Sequence, residues 1–233
     1  MSVRVAINGY KGRMGQELQA IVDGDGQFEV VAGVDLALGG GSRSLSEIAS
    51  NQLRDIDVVI DFSLAEGFQE VIKWCEKNKK PLVSGTTGLN DDHFAALDQA
   101  AKNIPVLWAP NMSLGVSFVS HLLEQFNAVA DQYDFQIEEF HHRHKKDRPS
   151  GTAKWLQETL KKSVGKSLPE VMVARGGGVF GVHKVWAFGE EETICIEHTA
   201  LNRRVFARGA LQAAKWLASK KPGRYTISNV LGY

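Results

Sequence analysis

From His141 to Arg148, three imidazoles and four permanent cations share eight consecutive residues, His141-His142-Arg143-His144-Lys145-Lys146-Asp147-Arg148. Such a cluster repels itself unless an anion sits among it, so an anionic ligand is its natural partner. Pro149-Ser150-Gly151-Thr152 follows and reads as a helix start with Ser150 as the N-cap. The N–H groups of Gly151 and Thr152 would then be open to a carboxylate. Cations beside a helix N-terminus suit a small dicarboxylate better than a nucleic acid, which needs a broad surface and stacking aromatics. Imidazole titrates near neutral pH, so the same segment is equipped for proton transfer.

A second constellation opens the chain. Gly9-Tyr10-Lys11-Gly12-Arg13-Met14-Gly15 stands between an apolar run, Val3 to Ile7, and the helical pattern of Met14, Leu18, Ile21 and Val22. A glycine-rich turn from strand to helix lets the backbone approach a pyrophosphate, and the helix N-terminus offers N–H groups and a positive dipole end. Asp35 closes the next strand about 20 residues past Gly15, where an acid accepts from ribose hydroxyls. The turn therefore predicts a bound dinucleotide. Asp35 followed by Leu36 disfavours a 2′-phosphate at that point, whereas Lys11 and Arg13 protrude from the turn and could reach one. NADH is expected to bind, and NADPH is admitted.

The residues alone leave other readings of the basic segment open. His142 and His144 could ligate zinc together with His183, His198 or Cys195, although no second ligand pair stands at fixed spacing and the lysines oppose a divalent cation. The segment could also be a solvated basic loop. His183 and His198, taken singly, read as satisfied strand histidines.

The elements that must position these residues fall into two styles. Up to Trp108, short apolar runs (Val3–Ile7, Phe28–Val34, Asp57–Asp61, Pro81–Ser84, Pro105–Trp108) alternate with helical patterns at Met14–Val22, Leu64–Asn78 and Asp91–Asn103. That alternation predicts a doubly wound α/β domain with a parallel sheet covered on both faces. After Asn111 the pattern changes: a helix over Ser113–Ala130, a strand at Phe135–Ile137, a helix over Ser150–Val164, then alternating strands at His183–Phe188 and Thr193–His198 joined through Gly189–Glu192. This predicts an α+β unit with a mixed or antiparallel sheet. A helix over Ala207–Ser219 and a short tail close the chain.

Composition sets the limits. The 233 residues suffice for one domain or a tight pair. Lysine and arginine total 27, as do aspartate and glutamate, which argues against a chain-wide grip on nucleic acid or an anionic membrane. Cys75 and Cys195 are too few for a disulfide scaffold. With no signal-like start and no long apolar run, a reduced, cytoplasmic setting is expected, with no metal, nucleic-acid or membrane partner.

Nearly the whole chain resembles the dihydrodipicolinate (4-hydroxy-tetrahydrodipicolinate) reductases of bacterial lysine and diaminopimelate synthesis. The resemblance rests on the glycine turn, Asp57 to Ser63, Ser84-Gly85-Thr86-Thr87-Gly88, Ala109-Pro110-Asn111-Met112-Ser113, His141 to Lys145, Asp147, Pro149 to Ala153, Arg175-Gly176-Gly177, Gly181-Val182-His183 and Asn202-Arg203. The His-His-x-His-Lys run before Pro-Ser-Gly-Thr is the most specific part. The resemblance implies NAD(P)H-dependent reduction and a dinucleotide-binding domain over 1–112 and 204–233. Residues 113–203 would bind substrate and form a homotetramer. It implies His141 as proton donor or acceptor, Lys145 as proton donor, and His142, Gly151 and Thr152 on the substrate carboxylates. Gly9, Tyr10, Lys11, Gly12, Arg13, Met14, Asp35, Gly85, Thr86, Thr87, Ala109, Pro110, Asn111 and Met112 would hold the cofactor. Two positions depart from the family pattern: Leu36, where some members carry a base, and Phe140, where many carry a small residue. An amino-acid dehydrogenase and a non-catalytic dinucleotide sensor are the competing readings; the sensor would need no proton donors.

Overall fold

The structure, a computed structural model, describes residues 2–35, 48 and 53–233. Leu36 lies outside the described residues. The chain divides into two compact units, one of residues 1–112 with 203–233 and one of residues 113–202.

The first unit holds a six-stranded parallel sheet in the order β10-β5-β4-β3-β1-β2. Its strands are β1 (Val3–Asn8), β2 (Phe28–Val34), β3 (Val58–Asp61), β4 (Leu82–Ser84), β5 (Pro105–Trp108) and, from the end of the chain, β10 (Gly223–Tyr225). Parallel strands require crossovers, and apolar residues on both faces of each strand require cover on both. Helices α1 (Arg13–Val22) and α6 (Arg204–Leu217) pack together on one face. On the other, Phe68, Val71, Ile72 and Cys75 of α2 (Ala65–Lys77) and Leu97 and Ala100 of α3 (Asp91–Ala100) bury against Ala6, Val59, Leu82 and Val106. The chain reverses its direction of travel across the sheet at β1, which lies between β3 and β2. Loops at the carboxyl ends of the strands on either side of such a point form a natural ligand crevice.

The tail is more ordered than its composition suggests. Gly223–Tyr225 pairs in parallel with Pro105–Leu107, and α7 (Ile227–Leu231) follows. A three-residue strand at a sheet edge has too few residues to show a period, which is why the sequence reads as tail. Arg203 is the N-cap of α6 and groups with the first unit rather than with the middle segment.

The second unit is a mixed four-stranded sheet, order β7-β6-β8-β9, built from β6 (Asp134–His141), β7 (Met172–Arg175), β8 (Gly181–Phe188) and β9 (Thr193–Ala200). Only the β6–β7 pair is parallel. Helices α4 (Leu114–Glu124) and α5 (Gly151–Val164), with a 3-10 helix over Gln125–Gln132, cover one face. The helical pattern through Ala130 is thus real but tightens to 3-10 geometry after Glu124. Phe135, Ile137, Val185 and Ala187 pack under Val116, Leu123, Leu156 and Leu160. The opposite face carries Met172, Trp186 and Phe188, of which Met172 and Phe188 are exposed. The Trp186 and Phe188 rings stack there.

One contact in the first unit leaves no room for a side chain. A Cβ at Gly209, in the middle of α6, would sit on the carbonyl oxygen of Met112. Glycine in a helix interior costs roughly 1 kcal/mol against alanine, so its presence marks the close approach of the 109–112 backbone. Gly209→Ala is therefore expected to destabilise the protein by about 1–3 kcal/mol despite the better helix propensity of alanine. A urea unfolding curve at or above wild-type midpoint would contradict this packing.

Candidate active site

In the first unit, the residues expected to hold a dinucleotide follow the carboxyl ends of β1, β2, β4 and β5. Gly9 has φ of +83°, and a Cβ there would meet the Phe62 carbonyl oxygen at 2.5 Å. A Cβ at Gly15 would strike the carbonyl oxygens of Gly9 and Tyr10. The turn is stitched by the Gly9 and Tyr10 N–H groups donating to the Val34 carbonyl at 3.0 and 3.1 Å. Helix α1 starts at Gly12 with no side-chain cap and no acidic residue in its first turn. Among the described residues no side chain caps its leading N–H groups, and no acid of its own first turn offsets its dipole, which fits a pyrophosphate. Asp35 takes a role its spacing did not signal: its carboxylate accepts the Lys11 N–H at 2.7 Å and cinches the turn to β2.

Asp61, which the sequence reading passed over as the end of a strand, organises the rest of this crevice. It is fully buried and accepts from Asn8 Nδ2 (2.7 Å), Ser63 N–H (3.2 Å), Ser84 Oγ (2.7 Å) and Thr86 Oγ1 (2.8 Å). Two donors per oxygen satisfy a buried carboxylate. They tie the ends of β1, β3 and β4 together and hold Thr86 in place. Gly85 lies against the Phe62 ring, and Trp108 Nε1 donates to the Thr86 carbonyl at 2.8 Å. The Ala109 N–H donates to Ser84 at 3.1 Å, and Met112 is buried against α6, whereas Pro110 and Thr87 are exposed.

The second unit gathers His141, His142, Lys145 and the start of α5 through the end of β6 and one loop. Strand β6 runs four residues beyond the expected Ile137, so that Phe135, Ile137, Glu139 and His141 share the buried face. Glu139 is wholly buried. Arg175 of β7 forks onto it, Nη1 to Oε2 at 3.0 Å and Nη2 to Oε1 at 2.7 Å. The Ser150 N–H donates to Oε1 at 3.0 Å, and His141 Nδ1 bonds to Oε2. Burial pushes the Glu139 carboxyl up, but Arg175, His141 and the Ser150 N–H together hold it below the usual carboxylate range. Burial pushes the His141 imidazole below its usual range, against the opposing pull of Glu139. At neutral pH the pair is therefore a carboxylate and a neutral imidazole with its proton on Nδ1.

The residues around this pair are equally fixed. Lys145 Nζ lies 3.0 Å from Asp147 Oδ1, and the Asp147 carboxylate also accepts from the Gly151 backbone. The N–H expected to await a substrate carboxylate is thus held by an internal one. Ser150 caps α5 as expected, accepting from the Ala153 N–H at 3.2 Å. Its hydroxyl also meets His183 Nε2 at 3.2 Å. The same arrangement recurs where Ser113 caps α4 and meets His198 Nε2 at 3.3 Å. Among the described residues, no group of three His, Cys, Asp or Glu is placed to hold a metal ion. Phe140 faces the other side of the sheet from His141, near Lys184.

Both halves of the chain answer to one family. Residues 3–112 match the N-terminus of dihydrodipicolinate reductase and residues 115–231 its C-terminus. The chain belongs to the dihydrodipicolinate reductase family. A 4-hydroxy-tetrahydrodipicolinate reductase from Bdellovibrio bacteriovorus is 46% identical over 229 residues, covering 98% of this chain and 96% of the relative. One from Nitratiruptor sp. is 37% identical, with 99% of each chain covered. Among solved structures, a dipicolinate-bound dihydrodipicolinate reductase from Paenisporosarcina sp. TG-14 has the same fold, with a TM-score of 0.82 at 22% identity over 97% of this chain and 98% of that one. An engineered D-amino acid dehydrogenase bound to NADP+ is more distant in fold, at a TM-score of 0.61 and 11% identity over 100% of this chain and 96% of that one. Membership excludes the amino-acid dehydrogenase and sensor readings as descriptions of the family.

Glu139 is the residue of this site that motif reading missed, and Arg175, quoted only as part of a family motif, carried no assigned role. The available signal was phase: Glu139 alternates with Phe135 and Ile137, and an acid in a buried phase must find a cation. His183 also belongs to the cluster, its ring 5.1 Å from that of His141. Burial, with His141 adding to it, pushes His183 down to about 3. Between that value and the ordinary 6.5, the unfolded chain binds a proton the native state refuses. Stability contributed by neutral His183 is thus complete above about pH 6.5 and declines as pH falls toward about 3, by up to about 1.4 kcal/mol per pH unit. The uncharged variant His183→Gln should lose this slope. Urea unfolding from neutral to mildly acidic pH would show the two proteins converging as pH falls, and parallel curves would refute the assignment.

Proposed function

We propose that this protein catalyses the NAD(P)H-dependent reduction of 4-hydroxy-tetrahydrodipicolinate to tetrahydrodipicolinate in lysine and diaminopimelate synthesis. In that reaction the substrate gains a hydride and a proton and loses water. The observation that carries the reading is the second unit's cluster: a carboxylate-bound imidazole, a lysine and a capped helix start within one loop. The names of the relatives, and the dipicolinate bound to the neighbour from Paenisporosarcina, agree with a dicarboxylate of this shape.

The reading divides labour between the units. Residues 1–112 and 203–233 bind the dinucleotide, with Gly9 to Met14 at the pyrophosphate and Asp35 at the ribose. Gly85 to Thr87 and Ala109 to Met112 lie beside the nicotinamide. A bound reduced nicotinamide supplies hydride. Residues 113–202 bind substrate and supply the proton: as hydride arrives, negative charge grows on the substrate ring, and Lys145 donates to neutralise it. His141, neutral at rest, exchanges a proton through Nε2. His142 and the Thr152 backbone take the substrate carboxylates, and the Gly151 N–H joins them when the incoming carboxylate displaces Asp147 from it. Supporting this, His142 Nδ1 is buried with no hydrogen-bond partner among the described residues, a polar atom left for a ligand to satisfy.

The assembly in this reading is a homotetramer that buries the open face of the β6–β9 sheet. Exposed Met172 and Phe188, and a buried Trp186 Nε1 that finds no hydrogen-bond partner among the described residues, support that choice.

The decisive assay follows loss of reduced-nicotinamide absorbance while dihydrodipicolinate synthase, pyruvate and aspartate semialdehyde generate the substrate in place. Oxidation that depends on the synthase is expected with NADH, and the parallel rate with NADPH fixes the preference. Lys145→Ala should lose about 10²–10⁴-fold in turnover while still binding cofactor; a fully active variant removes Lys145 from the mechanism. Light scattering should give four times the chain mass of 25.6 kDa, and a monomer would refute the tetramer.

A further inference from the structure

The catalytic loop is short, basic and largely devoid of apolar anchors, yet it must place a proton donor and a carboxylate site to within fractions of an ångström. The anchors lie beneath it. Glu139 receives His141 Nδ1 at the loop's start and the Ser150 N–H at its end. Arg175, besides forking onto Glu139, donates from Nη2 to the Asp147 carbonyl within the loop at 2.7 Å. The residues after Arg175 add two backbone bonds: the Gly176 N–H donates to the His141 carbonyl at 3.0 Å, and the Arg143 N–H to the Gly177 carbonyl at 3.3 Å. Both ends and the middle of the loop are thus referred to one buried ion pair.

The pair also decides which nitrogen of His141 is available. Ionised Glu139 is acceptor-only, so Nδ1 must carry the proton and Nε2 presents its lone pair. Nε2 lies over Gly181, where a Cβ would approach it to 3.0 Å. The absent side chain keeps that edge of the ring uncovered.

We propose that Glu139, clamped by Arg175, is the positioning residue of the reduction: it fixes the Nδ1–H tautomer of His141 and holds the loop carrying His142 and Lys145 between His141 and Ser150. This rests on the function proposed above. The ion pair itself touches no substrate; it acts through His141 and the loop. Around His141 the charged and titratable groups are Glu139 on its own strand, Arg175 from β7, His183 from β8 and Lys145 from the loop. Of these, Glu139 alone favours the imidazolium.

Three variants test the proposal. Glu139→Gln is expected to lower kcat by about 10²-fold or more with the KM for substrate changed only a few-fold, since orientation rather than binding is lost. The pH limb of kcat that reports His141 should move to lower pH. Glu139→Asp, which keeps the charge on a shorter arm, should recover part of kcat and return the limb toward its original position. Removing one member of a buried pair can unfold a chain, so the double variant Glu139→Gln/Arg175→Met, which removes both charges together, is the control for folding. A folded double variant that is still about 10²-fold slow supports positioning; one with wild-type kcat and pH profile overturns it. The tautomer has a readout that needs no turnover, the ring 15N shifts of His141 by NMR in the full-length protein. Nδ1–H in the wild type and a loss of that preference in Glu139→Gln are expected. Nε2–H in the wild type overturns the proposal. Because the NMR result stands without activity, a wild type that fails to oxidise NADH or NADPH would overturn the proposed reaction while leaving the tautomer assignment to be judged separately.

Discussion

A carboxylate leaves water only where donors replace every hydrogen bond it gives up, and Glu139 imposes that demand on the second unit. Arg175, the Ser150 N–H and His141 meet it from a neighbouring strand, a helix start and the same strand. Satisfying one acid therefore brings β7, β6 and α5 into a common frame. The mixed sheet is what makes this geometry available: β7 runs parallel to β6, so Arg175 reaches the level of His141 at the same end of the sheet where α5 begins. A purely antiparallel meander would put its neighbouring strand end elsewhere.

The first unit uses the same device with neutral donors. Asp61 draws an amide, two hydroxyls and a backbone N–H from β1, β4 and the loops behind them. There the carboxylate holds crevice loops in register; in the second unit it also sets a proton inventory. In each case the fold encloses a charge it could have left in solvent and gains a fixed arrangement of backbone at a strand end. Glycines complete the work wherever backbone must meet backbone, as Gly15 does against the turn and Gly209 against Met112.

Much of this was legible in the residues, and the limits have physical causes. Period-2 and period-3.6 patterns located the strands and helices whose faces are one-sidedly or fully buried, and Phe28–Val34 and Pro105–Trp108 appear as expected. Ser150 announced itself because a capping serine before Gly-Thr is a local signal. Strand β10 did not, because three edge residues carry no period. Glu139 was hidden by its neighbour Glu138, since two adjacent acids read as a solvated pair unless the strand is known to continue to His141. Asp147 illustrates another limit. Spacing shows that a helix N-terminus is nearby, but only geometry reveals that this acid already bonds to both Lys145 and Gly151.

The order in which the chain is made adds a consequence of the split first unit. Strand β10 and helix α6 leave the ribosome only after the whole middle segment, yet they complete a sheet whose other strands emerged before residue 109. Until then β5 presents an unpaired edge and the apolar face meant for α6 is bare. The middle segment, contiguous in sequence, has all its strands and helices in hand by residue 202 and can close first. The inserted unit can thus close ahead of the unit that encloses it in sequence, and the nascent first unit waits through about 115 further residues, from Trp108 to Gly223, with an open edge, the situation in which chaperone binding is most useful.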